Sequence, residues 1–222
     1  EKSQLRKDRK RLQKDNSQEQ ESGEYMTDYT RFKKHLEDIR ASVYEEPHIV
    51  HHEQMIDLSM SAFAKDVKKV LDVGFGTGYS LKKFKENGVD ATGITIFDKE
   101  RREADFNGYN VKLMDMNFLE FEDSSFDMVW CRHALEHSVM PYIALREFNR
   151  VLEEGGKLYI EVPSDNMIHI ENKNHYSLFS DHAWQSLFKK AGFNLKYRGQ
   201  YVVRIGDEKQ FNDIYWYYWM VK

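Results

Sequence analysis

Cysteine is almost absent from this chain, and long apolar runs are absent too. Cys131 is the single cysteine among 222 residues, which excludes an intramolecular disulfide and a zinc site built from cysteines. No apolar run approaches the roughly 20 residues that span a bilayer, and the first residues are charged rather than signal-like. We therefore expect a cytoplasmic protein with no membrane partner.

An excess of positive charge is also missing. The net charge is -4, from 33 Lys and Arg against 37 Asp and Glu, so the composition does not favour a nucleic-acid partner. A hydrophobic content of 41% with 14% aromatic residues is typical of globular proteins. The length suits one domain with a proper core.

Residues 1–24 differ from the rest, because they are highly charged and nearly lack apolar residues. This pattern predicts a flexible, solvated arm. Basic residues outnumber acidic ones in it, so an arm that binds RNA or a protein is the alternative. Residues 25–222 are expected to form a single domain, with N-terminal helices over 25–66 and an α/β core over 67–222.

Strands and helices alternate along the core. Strands are predicted over 69–73, 91–96, 110–114, 126–131 and 157–162, and helices over 79–87, 99–106, 141–152 and 180–191. This alternation predicts a doubly wound parallel sheet with helices on both faces. The last two strand-like runs, 195–205 and 213–221, are joined by a short polar link, which favours an antiparallel hairpin. The polar segment 166–174 is expected to be a long loop.

A glycine-rich turn follows the first strand, at Gly74, Gly76 and Gly78. A dinucleotide fingerprint needs its third glycine at position 79, where Tyr79 stands, so that alternative is weakened. With Asp72, the pattern D-x-G-x-G-x-G resembles motif I of the class I S-adenosylmethionine-dependent methyltransferases. A glycine turn without a ligand is the other interpretation.

This resemblance implies a Rossmann-like sheet of seven strands in the order 3-2-1-4-5-7-6, with an antiparallel C-terminal hairpin strand. It also implies S-adenosylmethionine as cofactor and S-adenosylhomocysteine as product. At the end of the second strand the family usually has an acid that binds the ribose, and this chain has Thr95, with Asp98 either binding the ribose instead or capping the next helix. The cofactor residues that the resemblance implies are Asp72, Gly74, Phe75, Gly76, Gly78, Thr95, Asp98, Asp115, Met116 and His133.

A histidine-rich segment ends the fourth strand. The pattern His133-x-x-Glu136-His137 matches an inverted zincin motif, which makes a zinc hydrolase a remote alternative. The motif lies at a strand end and has no evident third ligand, so we expect no metal. The same residues resemble the H-x-L-E-H signature of small-molecule methyltransferases, which implies that His133 contacts cofactor or substrate. His137 either lines the substrate side or bonds a core carbonyl.

The segment after the fifth strand supplies a further histidine. His175 is the preferred candidate base, and the predicted catalytic set is His175, His137 and His133. Cys131 is expected to be a small buried apolar residue rather than a nucleophile. The predicted function is S-adenosylmethionine-dependent SN2 methyl transfer to a small-molecule or glycan acceptor. The alternatives are methylation of RNA or protein with the basic arm, and a catalytically silent binding module.

Overall fold

The computed structural model of this chain describes residues 49–205 and 211–222, together with Arg31 and Lys34. The chain divides into two compact units, Glu1–Tyr44 and Glu45–Lys222, and the fold below concerns the second. The predicted arm, residues 1–24, lies outside the described residues. The organisation into an arm and a single domain stays a prediction.

Seven strands and six α-helices make up the second unit, within the described residues. The strands are β1 (Lys69–Val73), β2 (Asp90–Thr95), β3 (Asn110–Leu113), β4 (Phe126–Arg132), β5 (Leu152–Pro163), β6 (Asn194–Ile205) and β7 (Phe211–Val221). The helices are α1 (Ile49–Phe63), α2 (Tyr79–Glu86), α3 (Asp98–Phe106), α4 (Pro141–Val151), α5 (Met167–Ile170) and α6 (Asp181–Ala191), with a 3-10 turn at Leu135–His137.

The strands form one sheet in the order β3-β2-β1-β4-β5-β7-β6. Strands β1 to β5 pair in parallel, and β7 pairs antiparallel with both β5 and β6. The predicted α/β class, strand order and C-terminal hairpin are therefore confirmed. The strand order reverses between β1 and β4, where ligands of doubly wound sheets bind.

Helices cover both faces of the sheet, so β4 is apolar at almost every position. Met128 and Trp130 point into one hydrophobic cluster, where Trp130 stacks on Tyr159 with 4.3 Å between ring centroids. Val129 and Cys131 point into the larger cluster on the opposite face. Successive side chains of a strand point to opposite faces of the sheet. Because both faces are buried here, residues 128–131 of β4 are all apolar.

Two expectations for the segments beside β5 were wrong. The fifth strand begins at Leu152, not at residue 157. Its pairing with β4 shifts between Phe126 and Met128. Because of this shift, the glycines at 155 and 156 lie in an irregular first part of the strand. The expected long loop also contains the short helix α5. The termini of α6 are as expected, with Ser180 accepting from the Ala183 N–H and Gly192 at φ +98°.

No helix in the described ranges is both long enough and apolar enough to cross a membrane.

The start of β1 depends on one carboxylate, and its loss gives a stability test. Asp127 accepts from the backbone N–H groups of Lys68 (2.7 Å) and Lys69 (3.1 Å). Asp127→Ala removes two charge-assisted bonds, and we expect the free energy of unfolding in urea to fall by about 2 kcal/mol. Glu154→Ala is the control, since its carboxylate is exposed and pairs with Lys222 at 3.6 Å. Equal losses in both variants would contradict this role.

Candidate active site

The turn after β1 is held by a buried carboxylate. Asp72 accepts a hydrogen bond from the hydroxyl of Ser80 in the first turn of α2, so it connects the strand to the helix across the glycine loop (residues 74–78). Burial raises the pKa of Asp72 to about 7, against the opposing effect of the Ser80 bond. The loop closes with a 2.9 Å bond from the Gly78 N–H to the Phe75 carbonyl.

Two glycines of this loop are required for different reasons. A Cβ on Gly74 would lie 2.7 Å from the Cβ of Ala134, so the loop packs directly on the segment after β4. A Cβ on Gly76 would meet no described atom within 4 Å, and its φ is +52°. Gly76 thus exposes bare backbone to open space, as close approach of a ligand requires.

The side chain of Phe75 points away from this space. It is buried with Leu81 and Ala104, and a Cβ on Gly93 would lie 2.6 Å from its ring. Only the backbone of Phe75 is therefore placed to contact a cofactor.

Thr95, at the end of β2, is engaged within the protein. Its hydroxyl donates to the buried carboxylate of Glu100 and accepts from the N–H of Phe97 at 3.1 Å. Asp98 pairs with Arg101 (3.0 Å) and Arg102 (3.3 Å) on the exposed side of α3. Asp98 therefore forms local ion pairs and no side-chain cap. Glu100, which the sequence analysis did not select, is the buried acid nearest to the position that Thr95 occupies.

Asp115 organises the loop after β3. Its Oδ1 accepts from the backbone N–H of Asn117 (2.8 Å) and from the Asn117 side chain (2.9 Å). Asn117 in turn accepts from the hydroxyl of Ser138 at 3.0 Å, which connects this loop to the one after β4. Met116 packs against the larger core cluster.

A buried ionic cluster lies where β4 ends. Oε1 of Glu161 is 2.7 Å from Nε of Arg132 and 2.7 Å from Nε2 of His133, and it also accepts from the Tyr201 hydroxyl. Its Oε2 accepts from the Tyr159 hydroxyl at 2.9 Å. We call these five residues the Glu161 cluster.

The charges of this cluster stabilise one another. Burial would raise the pKa of Glu161, but Arg132 and His133 lower it to about 2. Burial alone would lower the pKa of His133, but Glu161 raises it above the ordinary value. His133 also has φ +50°, an uncommon conformation for a non-glycine residue that is frequent at functional sites.

The other two predicted catalytic histidines face each other beside this cluster. The rings of His137 and His175, which we call the histidine pair, have centroids 5.1 Å apart. Nδ1 of His137 lies 2.9 Å from the Asn174 carbonyl, and Nδ1 of His175 lies 3.0 Å from the His169 carbonyl. A carbonyl only accepts, so each Nδ1 carries a proton and donates it, which leaves the Nε2 lone pair for chemistry.

His137 bonds a carbonyl through Nδ1, as one of its two interpretations expects, and its place on the substrate side stays a prediction. Burial lowers the pKa of His175 below its ordinary value, and the ring is partly buried rather than on the surface. Glu136 is fully buried between the histidines. Burial would raise its pKa, but His133 and His137 hold it below the ordinary range.

Several polar residues near the site have no local sequence motif. His169 lies 2.5 Å from Asp213, which also accepts from the Tyr215 hydroxyl, and the Tyr215 ring meets that of His133 edge-on at 4.8 Å. Strand pairing and the short helix α5 bring these residues together. Of these residues, only Glu161 could have been recognised from the sequence, because it is an acid within the apolar part of strand β5. Cys131 is fully buried, as expected, and burial raises the pKa of its thiol.

The sequence matches a family described as "Methyltransferase domain" over residues 48–197. This range includes the glycine loop, the Glu161 carboxylate and the histidine pair. The chain belongs to the class I S-adenosylmethionine-dependent methyltransferases. S-adenosylmethionine is the cofactor of this family.

Individual relatives of this chain support the family assignment. The chain is 31% identical over 109 residues to the 27-O-demethylrifamycin SV methyltransferase of Amycolatopsis mediterranei, covering 43% of this chain and 40% of that one. It is 27% identical over 182 residues to the uncharacterised methyltransferase YcgJ of Bacillus subtilis, covering 73% and 70%. The matched part of this chain thus spans less than half the length of the rifamycin enzyme.

Solved structures show the same fold. The structure of YcgJ from Bacillus subtilis superposes with a TM-score of 0.64 at 17% identity, covering 78% of this chain and 98% of that one. The [4+2]-cyclase SpnF superposes with a TM-score of 0.60 at 24% identity, covering 67% and 59%. A cyclase with this fold shows that the chemistry must be argued from the site.

The glycine loop of this chain fits the family's cofactor. Its backbone at Gly76 borders open space, and Asp72 fixes the loop between β1 and α2. Gly74 against Ala134 places the histidine segment beside the loop. At the end of β2 the ribose would meet Thr95 and Glu100, whose mutual hydrogen bond it would have to share or replace.

The Glu161 cluster predicts a pH-dependent contribution to stability. The lowered pKa of Glu161 contributes above its ordinary value of 4.5 and is lost as the pH falls through about 2, whereas the raised pKa of His133 contributes below 6.5 and is lost as the pH rises through its folded value. We expect Glu161→Gln to lose about 3 kcal/mol of unfolding free energy, most between pH 4.5 and 6.5.

Urea denaturation across a pH series measures this difference. The matched control is Glu153→Gln, an exposed acid on the same strand, which should change stability little at any pH. A loss in Glu161→Gln that is independent of pH would contradict the coupling.

Proposed function

We propose that this chain transfers the methyl group of S-adenosylmethionine to a hydroxyl oxygen of a small-molecule or glycan acceptor. The observation that carries the proposal is the position of the histidine pair. Ala134 packs on Gly74 of the glycine loop and directly precedes the turn Leu135–His137. The glycine loop therefore lies next to the turn that carries His137.

Different side chains of the site serve acceptor binding and proton transfer. Bound S-adenosylmethionine supplies an activated methyl group and leaves as S-adenosylhomocysteine. His175 takes the hydroxyl proton at Nε2, because its Nδ1–H is held by the His169 carbonyl and its lowered pKa keeps the ring neutral at pH 7. His137 and His133 line the acceptor side. Most of the rate then comes from holding oxygen and methyl in line.

The names of several relatives support an oxygen acceptor, although one relative is named a sterol 4-C-methyltransferase. They include a 27-O-demethylrifamycin SV methyltransferase, a malonyl-[acyl-carrier protein] O-methyltransferase and ubiquinone biosynthesis O-methyltransferases. The basic arm that the RNA or protein alternative needs lies outside the described residues. The cytoplasmic location expected from the composition stays a prediction.

Cofactor binding is tested by a pair of glycine variants. Gly76 and Gly88 both have positive φ, at +52° and +71°, and a Cβ on either meets nothing within 4 Å. Each change to Ala should therefore cost about 1 kcal/mol of stability through backbone strain. Only Gly76→Ala places a methyl group in the proposed cofactor space. We expect it to weaken S-adenosylmethionine binding at least tenfold in calorimetry, and Gly88→Ala to leave it within twofold.

Absence of S-adenosylmethionine and S-adenosylhomocysteine binding by the unmodified chain would favour the silent module. Equal affinities in the two glycine variants would contradict the placement of the cofactor on the loop.

The proton-accepting role of His175 is tested by kinetics. His175→Ala should lower kcat about 100-fold, a typical contribution of a general base, with the affinity for S-adenosylmethionine within twofold. In the unmodified chain, activity should rise with pH through a value below 6.5 and then level off, since the base is active when neutral. Release of S-adenosylhomocysteine with a panel of hydroxylated acceptors gives both results.

His182→Ala is the control, because His182 lies exposed on α6. A comparable loss of kcat in that variant, or an acid limb that His175→Ala retains, would refute the assignment.

A further inference from the structure

Glu136 combines full burial with an incomplete set of partners. Its Oε1 lies 3.6 Å from Nδ1 of His133. Its Oε2 is buried and has no hydrogen-bond partner among the described residues. Burying a carboxylate oxygen without a partner is unfavourable, so a cation or a hydrogen-bond donor bound at this position would stabilise it.

The histidine pair faces this carboxylate. One ligand atom from each of Glu136, His137 and His175 can be chosen so that all three lie within 4.8 Å of one another. Three ligands bound to a single zinc ion at about 2.1 Å are roughly 3.4 Å apart, so side-chain shifts of about 1 Å would close the group on an ion.

Both histidines are oriented as metal ligands usually are. Each donates its Nδ1–H to a backbone carbonyl, that of Asn174 for His137 and that of His169 for His175. Such outer bonds fix the tautomer and direct the Nε2 lone pair. The loop that carries His175 is itself tied to the turn that carries Glu136, through bonds from Ser177 to the carbonyls of Glu136 (2.9 Å) and Ser138 (2.7 Å).

Glu161 holds the neighbouring cations more closely than Glu136 does. Arg132 and His133 both lie 2.7 Å from Glu161, whereas Nδ1 of His133 lies 3.6 Å from Glu136. The buried carboxylate of Glu136 also faces the histidine pair. Two histidines and one carboxylate are a ligand set that suits first-row divalent metals and leaves coordination positions open.

We propose that Glu136, His137 and His175 form a binding site for one divalent transition-metal ion, for which Zn²⁺ is the probe. The third ligand comes from the loop after β5, not from the inverted zincin motif, whose His133 is held by Glu161. The open positions take hydroxyl oxygens of the acceptor, and this role rests on the proposed function. The ion and the acceptor proton compete for the same Nε2 of His175, so the proton transfer assigned to His175 belongs to the metal-free protein.

Calorimetric titration of the full chain with Zn²⁺ tests the site. We expect one ion per chain and an affinity at least tenfold weaker in Glu136→Gln and in His137→Gln. His182→Ala removes an exposed histidine and should bind as the unmodified chain does. Co²⁺ should give visible absorption bands in the unmodified chain that both ligand variants lose.

Binding of S-adenosylmethionine is measured in the same samples, and it shows that each variant is folded. Stoichiometric Zn²⁺ binding without cofactor binding would support the metal site and contradict the proposed function. Cofactor binding without saturable Zn²⁺ binding would overturn the metal site alone. Unchanged Zn²⁺ affinity in either folded ligand variant would overturn it as well.

Discussion

The site depends on the contact between Gly74 and Ala134. A single carbon atom on Gly74 would lie 2.7 Å from the Cβ of Ala134, so the glycine loop and the segment after β4 meet with no room for a side chain. The parallel pairing of β1 with β4 brings their carboxyl ends to this point. Any shift of one strand against the other would separate the loop from the histidine segment.

The Glu161 cluster fixes what lies beyond this contact. One buried carboxylate on β5 holds Arg132 at the end of β4, His133 directly after it, and Tyr201 on β6. Breaking such a group leaves uncompensated charge in the interior, which is more costly than never having buried it. The cluster therefore holds His133, in its uncommon backbone conformation, closer to Glu161 than to Glu136.

The methyltransferase fold by itself does not decide the reaction, and the acceptor side here is richly polar. The site can provide either a proton acceptor or a set of metal ligands from Glu136, His137 and His175. The outcome depends on whether a proton or a metal ion occupies the Nε2 lone pair of His175. Both uses follow from the same backbone bonds, which hold each Nδ1 and direct each Nε2. The two uses differ only in what is bound at Nε2 of His175, and neither requires a change in the fold.

The amino-acid sequence alone determined the α/β class, because apolar periodicity and short-range spacing encode it, and it located the glycine loop. The strand order and the choice of the three histidines came from the resemblance to the methyltransferase family. It predicted the start of β5 wrongly, since a shift in strand pairing moved two glycines into the strand. Only the tertiary structure decided that Thr95 bonds Glu100, that Glu161 holds His133, and that Glu136 faces His175. These contacts join residues from different strands and loops, and their burial sets the charges, which no local pattern of residues records.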